Sequence, residues 1–422
     1  MTSKRTTLAD VRLPRWLNMD SVGLVSLALF AYAGQVKMNP LLSWVPVDLT
    51  LLLGLVVAVA VIVSRIRVGP TRGVLAVPLT LLAILQLGVV LSPLVGYSLT
   101  KVTTLWTFTT LAIVAPFYLI RTEAHRQLFL RTLVVLAVAV AVVTLIRPAS
   151  DSSFTNVEVF EGSNTIGTAR MTATGVVICL IFLLGPRLSA WKRLALALIS
   201  VVLVTTALGA GSRGPFLALG FGLFAALITA PAFKKIRGRA LVAAVILGSA
   251  AITWESRSGS DGVRRVMDFI GGEQNGSSMT REFFWSKSIS YIWASPGGIG
   301  WGDFANLRGI AIYAGADGAQ YAHNLILESF VEGGWVVGIA VLCYLIVSTV
   351  RASRFAVTPT ATAMYALLVF ALFNAMVSGD INDSRLLWML LSCTWLLHSP
   401  PAPPPEPAPV EGLATVGNAS SD

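Results

Sequence analysis

A series of long apolar runs, spaced along most of the 422 residues, constrains this fold more than any motif. Hydrophobic residues make up 55% of the chain, charged residues only 12%, and the mean hydropathy is +0.75, beyond the range of a soluble domain. A helix needs about 20 apolar residues to cross the roughly 30 Å hydrocarbon core of a bilayer. Because the runs are continuous and do not alternate, they favour helices over a barrel. The sequence therefore predicts an all-α integral membrane protein.

The runs predict about twelve transmembrane helices, or eleven if the short first run does not cross. They lie near residues 21–34, 47–64, 74–92, 99–120, 128–146, 171–186, 194–209, 214–230, 238–254, 324–350, 359–377 and 385–398. The chain then divides into a cytoplasmic N-terminus (1–20), helices 1–9 (21–254), a large extracytoplasmic loop with an amphipathic helix (255–322), helices 10–12 (323–398) and a disordered Pro-rich cytoplasmic tail (399–422).

The distribution of charge agrees with this topology, because cytoplasmic loops of membrane proteins are enriched in Lys and Arg. With both termini cytoplasmic, the cytoplasmic side carries 19 basic and 6 acidic residues, and the other side carries 12 basic and 15 acidic. The net charge of +10 is thus mainly an orientation signal, and we expect no nucleic-acid partner. The 3 cysteines fall in predicted helices without metal or disulfide spacing, so neither a zinc site nor a disulfide is expected.

A minority of the arginines lies on the extracytoplasmic side, where orientation gives no reason for them. They are Arg147, Arg170, Arg213, Arg257, Arg264, Arg265, Arg281, Arg308 and Arg385. A group of guanidinium charges beside a bilayer suggests an anionic, lipid-linked ligand.

The turn between the seventh and eighth predicted helices, residues 209–215, is the first candidate site. Its glycines allow a sharp turn that exposes N–H groups at a helix start, and Arg213 adds a fixed positive charge. This geometry is suited to binding a phosphate at the membrane surface. The alternative is a short turn whose Arg contacts lipid headgroups.

The second candidate is Arg281, in a segment from Thr280 to Ala294 that reads as an amphipathic interfacial helix. Thr280 is a suitable cap for this helix, which would put Arg281 in the first turn, where the helix dipole disfavours a cation unless an anion is close. A bound phosphate would supply that anion. A salt bridge to Glu282 or Asp268 explains the position as well.

His323 and Arg170 complete the candidates. His323 precedes the tenth predicted helix, at the boundary between water and membrane, where an imidazole could accept a proton near neutral pH. A hydrogen-bonded helix-end histidine is the alternative. Arg170 precedes the sixth predicted helix and could face either a cavity or the headgroups. Asp380 and Asp383 share one short loop, which is weak evidence for a metal site.

Taken in order, these segments resemble the O-antigen ligase and polymerase superfamily of membrane glycosyltransferases. The segments are the turn at 211–214, the run 281–285, the glycine-rich segment 295–304, the run 322–325, and Glu328 with 332–334. Together they span about residues 165–350, and the twelve-helix layout extends the likeness to most of the chain. Each is weak alone, and the ordered set is much more specific.

The resemblance implies transfer of a glycan from a polyprenyl (undecaprenyl-type) diphosphate carrier to an acceptor hydroxyl, without metal, nucleotide or other cofactor. It also implies residence in the bacterial cytoplasmic membrane, an extracytoplasmic active site and a role in cell-surface polysaccharide assembly. Carried over by position, it assigns diphosphate binding to Arg213 and Arg281, with Arg170 as a further candidate, and assistance of the acceptor to His323. The acceptor would be a lipid, a glycan or a protein.

Three alternatives stay open, one of them a non-enzymatic scaffold for envelope assembly, which would require the arginines and the histidine to be replaceable. A polymerase of the same superfamily would add repeat units to a growing chain, whereas a ligase transfers a finished glycan once, and the compact length with one dominant loop favours the ligase. A twelve-helix secondary transporter of an anionic substrate would bind it near the bilayer midplane on broken helices and often shows internal repeats. The clustering of unusual charges outside, without a matching half, favours the enzyme.

Overall fold

The computed structural model describes residues 19–37, 45–68, 72–146, 165–185, 188–210, 212–235, 237–238, 276–313, 318 and 320–396. In these ranges the secondary structure is helical, without strands, which confirms the all-α class.

The described α-helices are numbered α1 to α13 in chain order. They are α1 (Met19–Phe30), α2 (Ala33–Val36), α3 (Leu49–Val68), α4 (Arg72–Val90), α5 (Gly96–Leu119, with a π-helical turn at Leu105–Thr109), α6 (Glu123–Ile146), α7 (Thr165–Leu184), α8 (Ala190–Gly209), α9 (Arg213–Thr229), α10 (Gly276–Ala294), α11 (Leu325–Phe355), α12 (Pro359–Val377) and α13 (Arg385–Thr394).

Among the described residues, seven helices are long and apolar enough to cross a membrane, and four shorter apolar helices accompany them. Their surfaces are apolar as well: Ile66, Val90 and Val201 are 79%, 81% and 63% exposed. Side chains of this kind on a helix surface require a lipid environment. The chain is therefore a multi-pass helical membrane protein. Apart from Gly238, the predicted helix at 238–254 lies outside the described residues, so the count of twelve spans stays a prediction.

Side-chain hydrogen bonds bring several helix ends together at one end of the bundle. The Tyr32 hydroxyl, just after α1, shares a hydrogen bond of 2.6 Å with Thr174 Oγ1 on α7. The Arg170 guanidinium, also on α7, donates to the Ser378 carbonyl at the end of α12. Asn324 at the start of α11 donates to the Met376 carbonyl on α12. We call this the site end of the bundle.

Helix α11 is broken at Gly334, which has φ of +81°. The break frees backbone groups that the preceding segment 295–302 satisfies: Trp335 N–H donates to the Pro296 carbonyl, and Gly300 N–H donates to the Glu332 carbonyl. The approach is so close that a Cβ at Gly334 would lie 2.4 Å from the Gly297 carbonyl oxygen. Glycine is required here by both dihedral angle and space.

Replacing Gly298 by alanine should destabilise this junction by at least about 2 kcal/mol, because its φ of +89° is unfavourable for an L-residue and an added Cβ would lie 2.5 Å from Gly334 N. Thermal unfolding in detergent measures the effect. The matched control is Gly297→Ala, since a Cβ there meets nothing within 4 Å. Equal transition temperatures for the two variants would contradict this account.

A small apolar core holds α10 and the segment after it against α11. Its fully or nearly fully buried members are Phe284 on α10, Phe304, Ile310, Ala322 and Val331. The sequence prediction for α10 needs one correction: the helix begins at Gly276, so Thr280 does not cap it and Arg281 lies beyond the first turn. The dipole argument for an anion at Arg281 is correspondingly weakened. Ile289 and Trp293, 51% and 68% exposed, form the outer face of the amphipathic helix.

Candidate functional site

His323 is held in an unusual backbone conformation at the site end. Its φ is +55°, in the left-handed region that non-glycine residues seldom adopt. The next residue, Asn324, caps α11 by accepting hydrogen bonds from Ile326 N–H and Leu327 N–H at 3.0 and 3.1 Å. The cap fixes the start of α11 and thereby the position of the imidazole. Strain of this kind is common where a side chain is aimed for function.

Two aromatic rings contact the His323 imidazole. Phe284 of α10 stacks on it with ring centroids 5.9 Å apart and an interplanar angle of 11°, and the Tyr321 ring lies 4.4 Å from it at a tilt of 57°. The Nδ1 atom is buried and has no hydrogen-bond partner among the described residues. Arg281 lies one helical turn before Phe284, so the same helix that holds the imidazole also presents a guanidinium near it.

Burial of the imidazole, together with the positive charges of Arg281 and Arg170 and against the opposing charge of Asp380, lowers the pKa of His323 to about 4. The side chain is therefore neutral at physiological pH and can accept a proton. The same interactions show that Arg281, Arg170 and His323, distant in sequence, share one electrostatic environment.

The imidazole signals of His323 should titrate near pH 4 in the absence of substrate, well below an ordinary histidine. Replacing Arg281 by glutamine should raise this pKa, because a positive charge that disfavours the imidazolium is removed. NMR titration of isotope-labelled histidine in detergent measures both, with His323→Gln identifying the signal among the 3 histidines. An unchanged pKa of His323 in Arg281→Gln would show that the Arg281 charge does not act on the imidazole.

Arg170 lies near the start of α7, and its Nη2 atom donates to the carbonyls of Ser378 and Asn374 at the end of α12. Its Nε atom is buried without a partner among the described residues. The guanidinium is thus fixed by helix carbonyls on one side and left with a free donor on the other. An anion or a hydroxyl group would satisfy that donor.

Arg213 is the first residue of α9, and the placement of its side chain lies outside what the structure describes. The neighbouring backbone can be located: a Cβ at Gly214 would lie 3.3 Å from Val377 Cγ2, at the end of α12. Arg213 therefore starts its helix beside the segment that Arg170 contacts. Its assignment to the diphosphate stays a prediction.

The two aspartates of the 378–384 loop have different roles. Asp380 is buried, and its Oδ1 atom accepts hydrogen bonds from Asn382 N–H and Asp383 N–H at 2.9 and 2.7 Å, which shapes the loop. Asp383 lines a cavity at this end of the bundle and is itself exposed, while partial loss of solvent there and the negative charge of Asp380 raise its pKa above the ordinary value. Among the described residues, no group of three His, Cys, Asp or Glu side chains is arranged to hold a metal ion.

A buried ionic cluster beneath the site was missed by the sequence analysis. Lys101 Nζ on α5 lies 2.6 Å from Glu328 Oε1 and 2.6 Å from Glu332 Oε2, both on α11. All three side chains are at most 1% exposed. Glu332 also accepts from Gly302 N–H at 2.9 Å, and the Glu328 carboxylate accepts from Ile381 N–H at 3.2 Å.

The signal that could have found this cluster is a single lysine in an otherwise apolar predicted helix, together with two glutamates spaced by one turn at the start of another. Charges inside a membrane span are rare and normally paired. The cluster ties the glycine-rich segment and the 378–384 loop to α5 and α11. It thereby positions the loops that carry the candidate site.

In a comparison with known protein families, residues 198–342 match a family model described as O-Antigen ligase. The matched stretch includes Arg213, Arg281, His323 and both glutamates of the buried cluster, whereas Arg170 lies before it. No curated protein matches the chain.

Proposed function

We propose that this chain, whose residues 198–342 match the O-antigen ligase family model, belongs to that superfamily and is a membrane glycosyltransferase of the ligase type. Its donor would be a glycan on a polyprenyl diphosphate, and its acceptor a hydroxyl group on a lipid, glycan or protein. The reaction would take place on the extracytoplasmic side of the cytoplasmic membrane. The uneven distribution of Lys and Arg over the predicted loops supports that orientation.

The observation that carries this proposal is the convergence of Arg170, Arg281 and His323 at the site end of the bundle. Both guanidinium charges act on the same imidazole, although the three residues come from three separate segments. Two cations beside a neutral imidazole are groups suited to transfer from a diphosphate carrier. Guanidinium groups bind phosphate oxygens with paired hydrogen bonds.

In the proposed reaction, the acceptor oxygen forms a bond to the anomeric carbon as the bond from that carbon to the diphosphate oxygen breaks. The electron pair leaves with the diphosphate, where negative charge develops beside the arginines, which stabilise the transition state more than the ground state. The hydroxyl proton passes to His323, whose Nδ1 atom has no partner among the described residues. Bound diphosphate would also offset the arginine charges and raise the pKa of the imidazole.

We propose that no metal takes part, since the two guanidinium groups supply the positive charge that a divalent cation would otherwise provide. The polymerase alternative uses the same diphosphate site and differs in the fate of the product after the first transfer. A polymerase would keep its product as the next substrate, whereas a ligase would release it.

The test is transfer of a labelled glycan from polyprenyl diphosphate by purified protein in proteoliposomes, with EDTA present, compared with His323→Ala at equal protein. A single added glycan, lost in the variant, would support a metal-independent ligase. A ladder of products would support the polymerase. Absence of transfer with every acceptor offered, together with uptake of the anionic substrate, would replace this proposal by the transporter.

A further inference from the structure

A cavity of about 310 Å³ lies at the site end, bounded by α2, the first turns of α7 and the 378–384 loop. Its polar lining includes Gln35, Arg170, Tyr321, Asp383 and Arg385. This volume lies at the lower end of the range for small-molecule sites, about 300–1,000 Å³. The cavity is separate from the imidazole of His323, but Tyr321 contacts both, since its ring packs on His323 at 4.4 Å.

Buried polar atoms around this cavity lack partners among the described residues. They include Gln35 Oε1, an acceptor, and Arg170 Nε, a donor. A third, Asn374 Oδ1, borders a smaller cavity of about 30 Å³ that shares Gln35, Arg170 and Asp383 with the larger one. Buried polar atoms in native proteins are nearly always hydrogen-bonded. A ligand with groups that both donate and accept is the kind that would satisfy Gln35 Oε1 and Arg170 Nε.

Two of the three cations in the wall, Lys37 and Arg385, argue against a simple anion as that ligand, because they already have partners. Lys37 forms an ion pair of 2.7 Å with Asp48, and Arg385 donates to the Phe30 carbonyl while its guanidinium lies over the Phe30 ring at 5.1 Å. The carboxylate of Asp383 also faces the cavity and would repel an anion. Hydroxyl groups, in contrast, donate to a carboxylate or amide oxygen and accept from a guanidinium.

The wall is formed by close packing around two glycines. A Cβ at Gly34 would lie 2.9 Å from Arg385 Nη2, and a Cβ at Gly167 would lie 3.0 Å from Gln35 Oε1. Absence of a side chain at these two positions lets the arginine and the glutamine reach their places beside the cavity. The arrangement of polar groups is therefore fixed by the fold.

We infer that this cavity is the subsite for an uncharged monosaccharide, the sugar attached directly to the carrier diphosphate. The inference rests on the proposed function and deepens it. One oxygen atom joins the anomeric carbon to the diphosphate, so the sugar ring must lie beside the guanidinium groups that bind the phosphates. Arg170 lines the cavity and also acts on His323, which places the cavity beside the reacting groups. Gln35 and Asp383 are then the residues that accept hydrogen bonds from the sugar hydroxyls.

The test compares the binding of bare undecaprenyl diphosphate with that of undecaprenyl diphosphate carrying glucose, galactose or N-acetylglucosamine, using purified full-length protein in detergent. Gln35→Leu and Asp383→Asn should each weaken binding of the best glycosylated carrier about tenfold, because a hydrogen bond to the sugar is lost. Binding of the bare carrier should change less than about twofold. The matched control is Gln86→Leu on α4, the same substitution at another half-buried glutamine whose Oε1 lacks a partner among the described residues. Thermal unfolding of each variant accompanies the titrations.

Loss of affinity for the glycosylated carrier alone, absent in Gln86→Leu, supports the subsite. Three results would overturn the subsite and leave the diphosphate site in place. They are an equal loss of affinity for both carriers, no loss of affinity in either variant, and wild-type protein that binds no glycosylated carrier more tightly than the bare carrier. Wild-type protein that binds neither carrier overturns the proposed function as well. If Gln35→Leu fails to fold, the result for Asp383→Asn decides whether the subsite is present, because this substitution keeps the shape of the side chain.

Discussion

Replacing Lys101 by methionine should lower the free energy of unfolding by about 3–5 kcal/mol, because two buried glutamates lose their shared cation. Lys101 Nζ lies 2.6 Å from a carboxylate oxygen of each glutamate, and the three side chains are nearly inaccessible. Isolated carboxylates at such a depth must either take up protons or draw in water, and both rearrange the loops that they hold. The free energy of unfolding is measured in detergent by chemical denaturation.

The matched control for Lys101→Met is Lys37→Met. Lys37 forms an ion pair of similar length, 2.7 Å, with Asp48, but the two side chains are 37% and 44% exposed. Its loss should cost at most about 1 kcal/mol. Combining Lys101→Met with Glu328→Gln and Glu332→Gln should recover part of the lost stability, since no buried charge then lacks a partner. Equal destabilisation by Lys101→Met and Lys37→Met would show that the cluster carries no net ionic interaction.

The sequence predicts the helices of this protein well, because apolar length alone determines where a chain can cross a bilayer. Residues 359–377 were predicted with the bounds that α12 has, and most other ends differ by a few residues. The break at Gly334 could not be predicted in the same way. A pair of glycines inside an apolar run is compatible with a straight helix, and only the segment 295–302 packed against it makes the break favourable.

Part of the candidate site could also be predicted from the sequence, and part of it depends on contacts that only the fold creates. The sequence singled out Arg170, Arg281 and His323 as unusual residues, and the structure brings these three together. Their neighbours were not predictable, since the contact between Lys101 and Glu332 joins residues 231 positions apart. Gln35 is an ordinary residue in the sequence. It becomes a candidate only because the fold leaves its Oε1 atom beside a cavity without a partner among the described residues.

The largest expected effect on activity is that of Arg281→Ala, which should reduce the turnover number of glycan transfer about 10²–10³-fold, with a smaller change in the Michaelis constant for the donor. The reason is that removal of one group that stabilises developing negative charge costs about that factor in other enzymes. Arg281→Lys should recover only part of the rate, because an ammonium group lacks the paired donors of a guanidinium. Initial rates in proteoliposomes, at several donor concentrations, separate the two kinetic constants.

The control for Arg281→Ala is Arg308→Ala, which removes an exposed guanidinium from the segment between α10 and α11. It should leave the rate within about twofold, since substitutions of exposed surface residues usually change little. Arg281→Ala should also raise the pKa of His323, so a rate loss accompanied by a shifted imidazole signal assigns the effect to the shared site. A wild-type rate in Arg281→Ala, at equal amounts of folded protein, would remove Arg281 from the diphosphate site and leave Arg170 and Arg213 as its candidates.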